Sequence, residues 1–205
     1  MPKPTQQTRL PVAVMVSGTG RHLNHLAQLA SSGELPIEIC LCISSRAGVG
    51  ALQFAGHWNI PVEVPDPARD LSPEAYGEMI FAMLEERGVQ TVILAGFLRF
   101  LPIPARWENR VLNIHPSLLP AFGGAGYYGR HVHAAVIKRG CTLSGCTVHY
   151  VDNVFDNGPI LVQRSCKVHA SDDSDTLASR VFEQELIAYP EAIRMHLARM
   201  AESER

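Results

Sequence analysis

The sequence predicts an α/β fold, with a single doubly wound, mostly parallel sheet and helices on both of its faces. Apolar runs at residues 12–16 and 91–95 are typical of strands buried on both sides, and helical patterns separate such runs. The 205 residues, 46% of them hydrophobic, are enough for one well-covered core. We therefore expect one domain over residues 1–205, with 1–10 as a flexible lead-in and 201–205 as a flexible tail.

Each predicted element has a local reason. The strand at 12–16 is followed by a glycine turn and then by an apolar helical pattern that Gly33 ends. Ser72, with Pro73 next to it, is expected to cap a helix that reaches about Arg87. The pattern further predicts strands at 37–43, 62–64, 91–95, 110–115, 145–151 and 160–168, helices at 49–58, 131–139 and 173–200 with an interruption at Pro190, and loops at 65–71, 121–130 and 152–159.

The predicted strand at 110–115 carries polar groups suited to chemistry. Polar and apolar residues alternate along it, so Asn113 and His115 share one face. Pro116 ends the strand, and open α/β sheets bind ligands at the carboxyl ends of their strands. An amide and an imidazole side by side there could stabilise one developing oxyanion. Taken singly, each has a simpler explanation, because strand-end Asn and His side chains often satisfy backbone groups of the next turn.

The charge balance excludes some classes of function. Lys and Arg number 18 and Asp and Glu 20, so nothing indicates a nucleic-acid or an anionic membrane surface. No apolar stretch is long enough to span a bilayer, and the polar start of the chain lacks the apolar centre of a signal peptide. We expect a cytoplasmic protein, a monomer or homodimer, that acts on small molecules.

Neither the cysteines nor the histidines indicate a metal site. The 5 cysteines include no Cys-x-x-Cys pair, and Cys40 and Cys42 fall at alternate positions of a predicted core strand. His131 and His133 have no third ligand nearby, and two rings at this spacing in a helix would point apart. We predict no bound metal.

Residues 17–20 form a glycine turn suited to an anion. Glycines between a first strand and its helix let backbone amides approach an anion at the positive end of the helix. A dinucleotide fingerprint would need a glycine at Leu23 and an acidic residue after the second strand, where residues 44–46 are Ser-Ser-Arg. The simpler explanation is close packing of strand and helix. The turn predicts a single phosphate rather than NAD, bound by Gly18, Thr19, Gly20, Arg21 and His22.

Four segments, taken in order, resemble the folate-dependent formyltransferases, and most closely those that act on phosphoribosylglycinamide. They are the glycine turn, the run Leu94-Ala95-Gly96-Phe97-Leu98-Arg99-Phe100-Leu101, the string Asn113-Ile114-His115-Pro116-Ser117-Leu118-Leu119-Pro120, and Asp156-x-Gly158-Pro159. The likeness covers nearly all of the chain after residue 12. It implies the formyltransferase fold, a Rossmann-like α/β domain. It also implies transfer of a formyl group from 10-formyltetrahydrofolate, as co-substrate, to the amine of 5-phosphoribosylglycinamide in purine biosynthesis.

The resemblance also implies roles for individual residues. Asn113 and His115 would polarise the formyl carbonyl, Asp156 would orient His115 and help to move the proton from the attacking amine, and Glu185 would contact the glycinamide substrate. Such an attack creates an oxyanion and an ammonium together, which explains these residue types. The simpler alternatives are core positions for Leu98 and Leu101 and a surface charge for Glu185. The folate pocket would be lined by Phe97, Leu98, Arg99, Phe100 and Leu101, with Asp152, Asn153, Val154 and Phe155 closing its other side.

The chain departs from the family pattern at several places. Residues 21–22 are Arg-His where members commonly carry Ser-Asn, and Pro73 stands where many carry an arginine. The loop at 121–130, with Tyr127 and Tyr128, is similar to the plant and cyanobacterial type. These differences concern the acceptor more than the formyl donor, and they leave open a different phosphosugar amine.

Other functions fit parts of the pattern. Methionyl-tRNA formyltransferase shares the Asn-x-His-Pro motif but has a further C-terminal domain and needs a basic surface for tRNA. A formyltetrahydrofolate hydrolase would use water in place of the amine, although those proteins usually have an N-terminal regulatory domain. A non-catalytic module that binds folate, phosphate or a sugar nucleotide would have no need of Asn113, His115 and Asp156 together. The enzyme hypothesis predicts that Asp156 lies within hydrogen-bond reach of His115, whereas the structural alternative predicts that the three residues scatter.

Overall fold

The computed structural model describes residues 9–65 and 71–203. Most of the expected lead-in at 1–10, most of the predicted loop at 65–71 and the last two residues of the expected tail lie outside this part of the chain. The last helix reaches three residues into the segment expected to be a tail, to Ser203. Ala201 and Glu202 favour this extension because both are good helix formers.

Seven strands form one sheet in the described part of the chain: β1 (Leu10–Val16), β2 (Ile37–Ser44), β3 (Val62–Glu63), β4 (Thr91–Leu94), β5 (Val111–His115), β6 (Leu143–Tyr150) and β7 (Ile160–Lys167). Their order is β3-β2-β1-β4-β5-β6-β7. Strands β1 to β5 are parallel, whereas β6 is antiparallel to both β5 and β7. From β1 the chain adds β2 and β3 on one side, and it then returns to add β4 and β5 on the other. The strand order therefore reverses between β1 and β4, and a doubly wound sheet usually binds its ligands at such a reversal.

The described residues form five α-helices, of which the first four connect strands and the last follows β7: α1 (Arg21–Ser32), α2 (Gly50–His57), α3 (Pro73–Glu86), α4 (Arg130–Arg139) and α5 (Ser174–Ser203). A short 3₁₀ helix covers Ala105–Trp107. Gly33 ends α1, and the Ser72 side chain accepts a hydrogen bond from the Ala75 amide at the start of α3, as predicted. None of the described helices is both long and apolar enough to cross a membrane.

The sheet is buried on both of its faces. In β1, Val12, Val14 and Val16 belong to the core that α1, α4 and α5 cover, while Ala13 and Met15 belong to the core that α3 covers. All five side chains are fully buried, as the period of two along a central strand requires. The predicted doubly wound, mostly parallel α/β class is therefore confirmed.

The interruption predicted at Pro190 is wrong, because α5 continues through this residue as one helix. Proline lacks the N–H that would bond the carbonyl four residues earlier, which here is that of Leu186. His25 of α1 donates its Nε2 hydrogen to this oxygen over 3.0 Å. A side chain from a neighbouring helix thus satisfies the acceptor that Pro190 leaves open, and α5 can remain continuous.

Candidate active site

A cavity of about 580 Å³ opens at the carboxyl ends of β1, β4 and β5. Its walls come from the turn after β1, the segments after β4 and β5, the glycine-rich loop before α4, the loop after β6 and the first half of α5. Asn113, His115 and Asp156 all line it, so the three residues do not scatter. Its position is the usual ligand site of an open α/β sheet.

His115, the last residue of β5, is held between two acceptors. Its Nδ1 lies 3.3 Å from Asp156 Oδ2, and its Nε2 donates a hydrogen bond of 2.8 Å to the Phe122 carbonyl. The residue is only 4% exposed, so these contacts fix the ring orientation. The predicted proximity of Asp156 to His115 is confirmed.

Asp156 lies in the left-handed region of backbone conformation, with φ at 53°. Its Oδ2 accepts a hydrogen bond of 2.9 Å from the Gly124 amide, and its Oδ1 lies 3.8 Å from His149 Nε2. Burial acts to raise the pKa of Asp156, but the contact with His115 and the Gly124 amide outweigh it and hold that pKa below its usual value. The carboxylate is therefore ionised at neutral pH.

The glycine-rich loop must approach Asp156 closely to deliver the Gly124 amide. At Gly123, an added Cβ would stand 2.5 Å from Leu119 Cδ2 and 3.3 Å from Asp156 Cβ. A side chain at this position would therefore push the loop away from the carboxylate. The loop predicted at 121–130 is confirmed, with α4 beginning at Arg130, one residue earlier than expected.

His149 of β6 is a site residue that the sequence analysis missed. It pairs with Asn113 in the antiparallel register of β5 and β6 and is 1% exposed. Its Nδ1 donates a hydrogen bond of 2.8 Å to the Tyr150 carbonyl, and its Nε2 lies 3.2 Å from Asn113 Nδ2. Burial lowers the pKa of His149 and so favours the neutral ring.

This hydrogen-bond chain orients the Asn113 amide. A neutral His149 that donates from Nδ1 has only a lone pair on Nε2, so Asn113 must direct its NH₂ group toward it. One amide hydrogen is used in that contact. The other is left for a ligand in the cavity, which Asn113 lines.

The predicted phosphate turn forms one end of the cavity, which all five of its predicted residues line. Gly20 adopts a φ of 75°, and a Cβ at this position would collide with Ala51 of α2. Helix α1 then begins at Arg21 without a side-chain cap and without an acidic residue in its first turn. The first backbone amides of α1 are thus not satisfied by side chains of the helix itself.

Arg21 and His22, which depart from the family pattern, both contact Phe182 of α5. The Arg21 guanidinium carbon lies 3.8 Å above the Phe182 ring centroid, and the His22 ring meets the same ring edge-on at 5.0 Å. His22 Nε2 is 3.1 Å from Glu185 Oε2, an ion-pair distance without hydrogen-bond alignment. Glu185 is 7% exposed and lines the cavity, so it is not a surface helix charge.

The opposite end of the cavity is largely apolar. The Phe100 and Phe155 rings lie 5.1 Å apart, while Leu101 is 5% exposed and belongs to the core. The expectation for Asn153 needs correction, because its side chain bonds both the amide and the carbonyl of Ile103 at 2.7 and 3.1 Å. Asn153 therefore joins the loop after β6 to the segment after β4. The predicted folate-pocket residues that line the cavity are Phe97, Leu98, Arg99, Phe100, Leu101, Asp152, Val154 and Phe155.

Two further candidates are the His131–His133 pair and Pro73. Within residues 9–65 and 71–203, no group of three or more His, Cys, Asp and Glu side chains could hold a metal ion. His131 is exposed and His133 is buried, so the two side chains have different surroundings.

Pro73 begins α3 and is not among the residues that line the cavity.

The fold and the site together define a known class of protein. Residues 10–193 match the family model described as formyl transferase, so the chain belongs to the formyl transferase family. A crystal structure of phosphoribosylglycinamide formyltransferase from Bacillus halodurans is similar to it, with a TM-score of 0.84 and 32% identity, covering 93% of this chain and 96% of that one.

Two curated relatives have similar sequences. The chloroplastic phosphoribosylglycinamide formyltransferase of Vigna unguiculata is 38% identical over 188 residues, which cover 90% of this chain and 60% of the relative. The trifunctional purine biosynthetic protein adenosine-3 of Gallus gallus is 38% identical over 192 residues, which cover 93% of this chain and 19% of the relative. The chain thus spans less than two thirds of the length of either protein.

Proposed function

We propose that this protein transfers the formyl group of 10-formyltetrahydrofolate to the amine of 5-phosphoribosylglycinamide, a step of de novo purine biosynthesis. The observation that carries the proposal is the 3.3 Å contact between His115 Nδ1 and Asp156 Oδ2, placed between a polar and an apolar end of one cavity. Membership of the formyl transferase family supports it, as do relatives whose names give this activity.

The reaction needs hydrogen-bond donors at the formyl oxygen. Attack of the amine on the formyl carbon forms a tetrahedral centre whose oxygen carries the negative charge. The amide hydrogen that Asn113 does not give to His149 is one donor. His115 supplies a second when the substrate oxygen replaces the Phe122 carbonyl as the partner of Nε2. Both side chains lie at the end of β5, so a rigid strand fixes their spacing.

The reaction also needs an acceptor for the proton of the attacking amine. Asp156 is ionised and lines the cavity, so a carboxylate is available to take this proton. As the tetrahedral centre collapses, the bond between the formyl carbon and folate N10 breaks, and N10 takes up a proton. The amine keeps the formyl group, and no further reactant is needed.

The polar end of the cavity suits a phosphorylated amine. The uncapped amides at the start of α1 and the Arg21 guanidinium offer hydrogen bonds and positive charge to a phosphate. The Phe182 ring supports this guanidinium at 3.8 Å, which reduces the freedom that Arg21 would lose on binding. Glu185, further along the same wall, can accept hydrogen bonds from the amine or the sugar hydroxyls.

The apolar end of the cavity suits the flat ring system and the aromatic tail of the folate. Phe100 is 38% exposed and Phe155 is 52% exposed, although both are large apolar side chains. Exposed apolar groups gathered around a cavity are typical of a ligand site, because a ligand would cover them. Their rings are close enough to form one aromatic surface.

The proposal is tested by mixing the protein with 10-formyltetrahydrofolate and phosphoribosylglycinamide and measuring both tetrahydrofolate and the formylated product. We expect the two products in equal amounts. The dephosphorylated acceptor is the matched control, since it lacks only the phosphate, and its KM should be at least about tenfold higher. Consumption of the donor without any acceptor would identify a hydrolase, and absence of turnover with both substrates would refute the proposal.

A further inference from the structure

The His22 side chain is fixed against one face of α5. Phe182, Glu185 and Tyr189 follow one another at spacings of three and four residues, so they share that face. The His22 ring lies 5.0 Å from the Phe182 ring and 5.9 Å from the Tyr189 ring, edge-on in both cases. Two aromatic contacts therefore hold the ring beside Glu185.

Tyr189 attaches this face of α5 to the sheet. Its side chain is fully buried, and its hydroxyl donates to the carbonyls of Leu94 and Leu112 over 2.8 and 3.2 Å. Leu94 ends β4, and Leu112 belongs to β5. The surroundings of His22 are thus fixed relative to the strand that ends in His115.

The contact between His22 and Glu185 determines which ring nitrogen carries a hydrogen. His22 Nε2 lies 3.1 Å from Glu185 Oε2, and the two side chains are only 14% and 10% exposed. A lone pair on Nε2 would face the lone pairs of a carboxylate with little water between them, which is unfavourable. Nε2 therefore carries the hydrogen. A small rotation of either group would align the hydrogen bond, and such bonds often tighten only when substrate is bound.

Nε2 of His22 is enclosed, whereas the Glu185 carboxylate is not. Nε2 is a buried atom without an aligned hydrogen bond, so a ligand in the cavity has no access to it. The Glu185 oxygens form no hydrogen bond with the described residues, and neither oxygen is enclosed. Because Glu185 also lines the cavity, its carboxylate is open to a ligand there.

We infer that His22 is a positioning residue for the acceptor: its Nε2 hydrogen holds one oxygen of Glu185, and the other oxygen is thereby directed to the amine or a sugar hydroxyl of the substrate. This inference rests on the proposed function, in which Glu185 binds the acceptor. A carboxylate that is already fixed loses less side-chain freedom when substrate binds. The His22 side chain is thus assigned to Glu185 rather than to the phosphate, which the backbone amide of His22 can still bind.

Two substitutions separate this hydrogen bond from the packing of the ring. His22→Phe keeps a ring against Phe182 and Tyr189 but has no N–H, whereas His22→Gln places an amide NH₂ group near the position of Nε2. We expect His22→Phe to raise the KM for phosphoribosylglycinamide roughly tenfold, about the effect of one hydrogen bond, with the folate KM unchanged. His22→Gln should recover most of that loss.

The dephosphorylated acceptor tests whether His22 acts on the phosphate. If His22 acts through Glu185, His22→Phe should lower kcat/KM by a similar factor for the phosphorylated and the dephosphorylated acceptor. Arg21→Ala is the matched comparison, because a guanidinium that binds the phosphate should lose most of its effect when the phosphate is absent. An effect of His22→Phe that disappears with the dephosphorylated acceptor would assign the His22 side chain to the phosphate and overturn the inference.

A double-mutant cycle tests whether the effect of His22 passes through Glu185. In protein that carries Glu185→Ala, the addition of His22→Phe should change kcat/KM for the acceptor less than about twofold, since the partner is already gone. Additive effects of the two substitutions would contradict the proposed role.

Two controls accompany these variants. His57→Phe makes the same substitution at an exposed residue of α2 outside the cavity lining, and it should leave both KM values unchanged. Thermal unfolding shows whether each variant folds, and His22→Ala takes the place of His22→Phe if the latter does not fold.

The outcomes distinguish the inference from the proposed function. If the wild type neither turns over nor binds phosphoribosylglycinamide, the proposed function fails and the inference fails with it. If the wild type is active but folded His22→Phe keeps a normal acceptor KM, only the inference is overturned. A rise of both KM values by the same factor, or equal impairment of His22→Gln and His22→Phe, would show a packing role and would also overturn it.

Discussion

Two buried histidines, His115 and His196, lie near opposite ends of the central parallel strands and have opposite electrostatic surroundings. His115 ends β5 and contacts the carboxylate of Asp156. His196 of α5 has its Nε2 2.8 Å from Thr91 Oγ1, at the first residue of β4, and its Nδ1 3.0 Å from the Tyr150 hydroxyl. Burial and the positive charges of Arg199 and Arg110 lower the pKa of His196 to about 4.

The difference shows that burial and hydrogen bonding do not by themselves mark a catalytic histidine. Hydroxyl partners satisfy His196 as a neutral ring, so it cannot gain a proton near pH 7. His115 instead has a carboxylate partner, Asp156, at 3.3 Å. The acidic partner and the carboxyl edge of a parallel sheet therefore distinguish the candidate catalytic ring from the structural one.

Replacing each histidine by alanine gives the largest expected contrast. His115→Ala should lower kcat on the order of a hundredfold to a thousandfold, because it removes an oxyanion donor, while the protein still folds. His196→Ala should keep kcat within about threefold but lower the free energy of unfolding by roughly 1–3 kcal/mol, since Thr91 and Tyr150 lose buried partners. Steady-state kinetics and urea unfolding of both variants measure this contrast. Near-normal activity of His115→Ala would show that His115 is not a catalytic residue.

Removing the charge of the partner carboxylate should have the next largest effect. Asp156→Asn keeps the shape of the side chain but cannot accept the amine proton, so kcat should fall on the order of a hundredfold. Asp172→Asn is the matched control, because Asp172 binds Arg180 away from the cavity and its pKa is also lowered. If the two variants lost activity equally, a general effect of charge loss would explain the result better than proton transfer.

His149 allows a smaller test of the active-site cluster. His149→Leu removes the acceptor that orients the Asn113 amide, and we expect kcat to fall roughly tenfold, about the effect of one hydrogen bond. His149→Gln can place an oxygen near the position of Nε2 and should recover part of the loss. Equal activity of the Leu and Gln variants would show that the amide orientation does not depend on this contact.

The last prediction concerns how the free energy of unfolding changes with pH because of His196. The folded-state pKa of His196 is about 4, below the usual value for histidine, so the unfolded chain binds more protons between these values. His196 should therefore reduce the free energy of unfolding as the pH falls from about 6.5 to 4, by an amount on the order of 3 kcal/mol. Urea unfolding across this range should show a shallower decline for His196→Gln, and an unchanged slope would contradict this assignment.

The local pattern of the sequence was sufficient for most elements but not for α5. A proline normally interrupts a helix because the carbonyl four residues earlier loses its partner. Here His25 donates to the Leu186 carbonyl, and only the packing of α1 against α5 brings them together. No local pattern around Pro190 contains that information.

The candidate site likewise contains some residues that the local pattern predicted and others that only the tertiary structure brings together. Alternation along one strand and the proline after it predicted that Asn113 and His115 share a face at a strand end. His149 was missed because it lies 36 residues from Asn113 and becomes its neighbour only through the antiparallel register of β5 and β6. Asn153 was expected in the folate pocket because of its position in the loop, but its side-chain amide forms hydrogen bonds with the backbone of Ile103.

The sequence by itself determined the alternating strands and helices, the glycine turn before α1 and the amide and imidazole at the end of β5. These features depend on residue type and short spacing, which fix backbone conformation and the direction of neighbouring side chains. The tertiary structure decided which distant groups meet them: Asp156 beside His115, His149 beside Asn113, and Glu185 beside His22. Charge and hydrogen-bond direction depend on those contacts, which form only when distant segments pack together in the folded sheet.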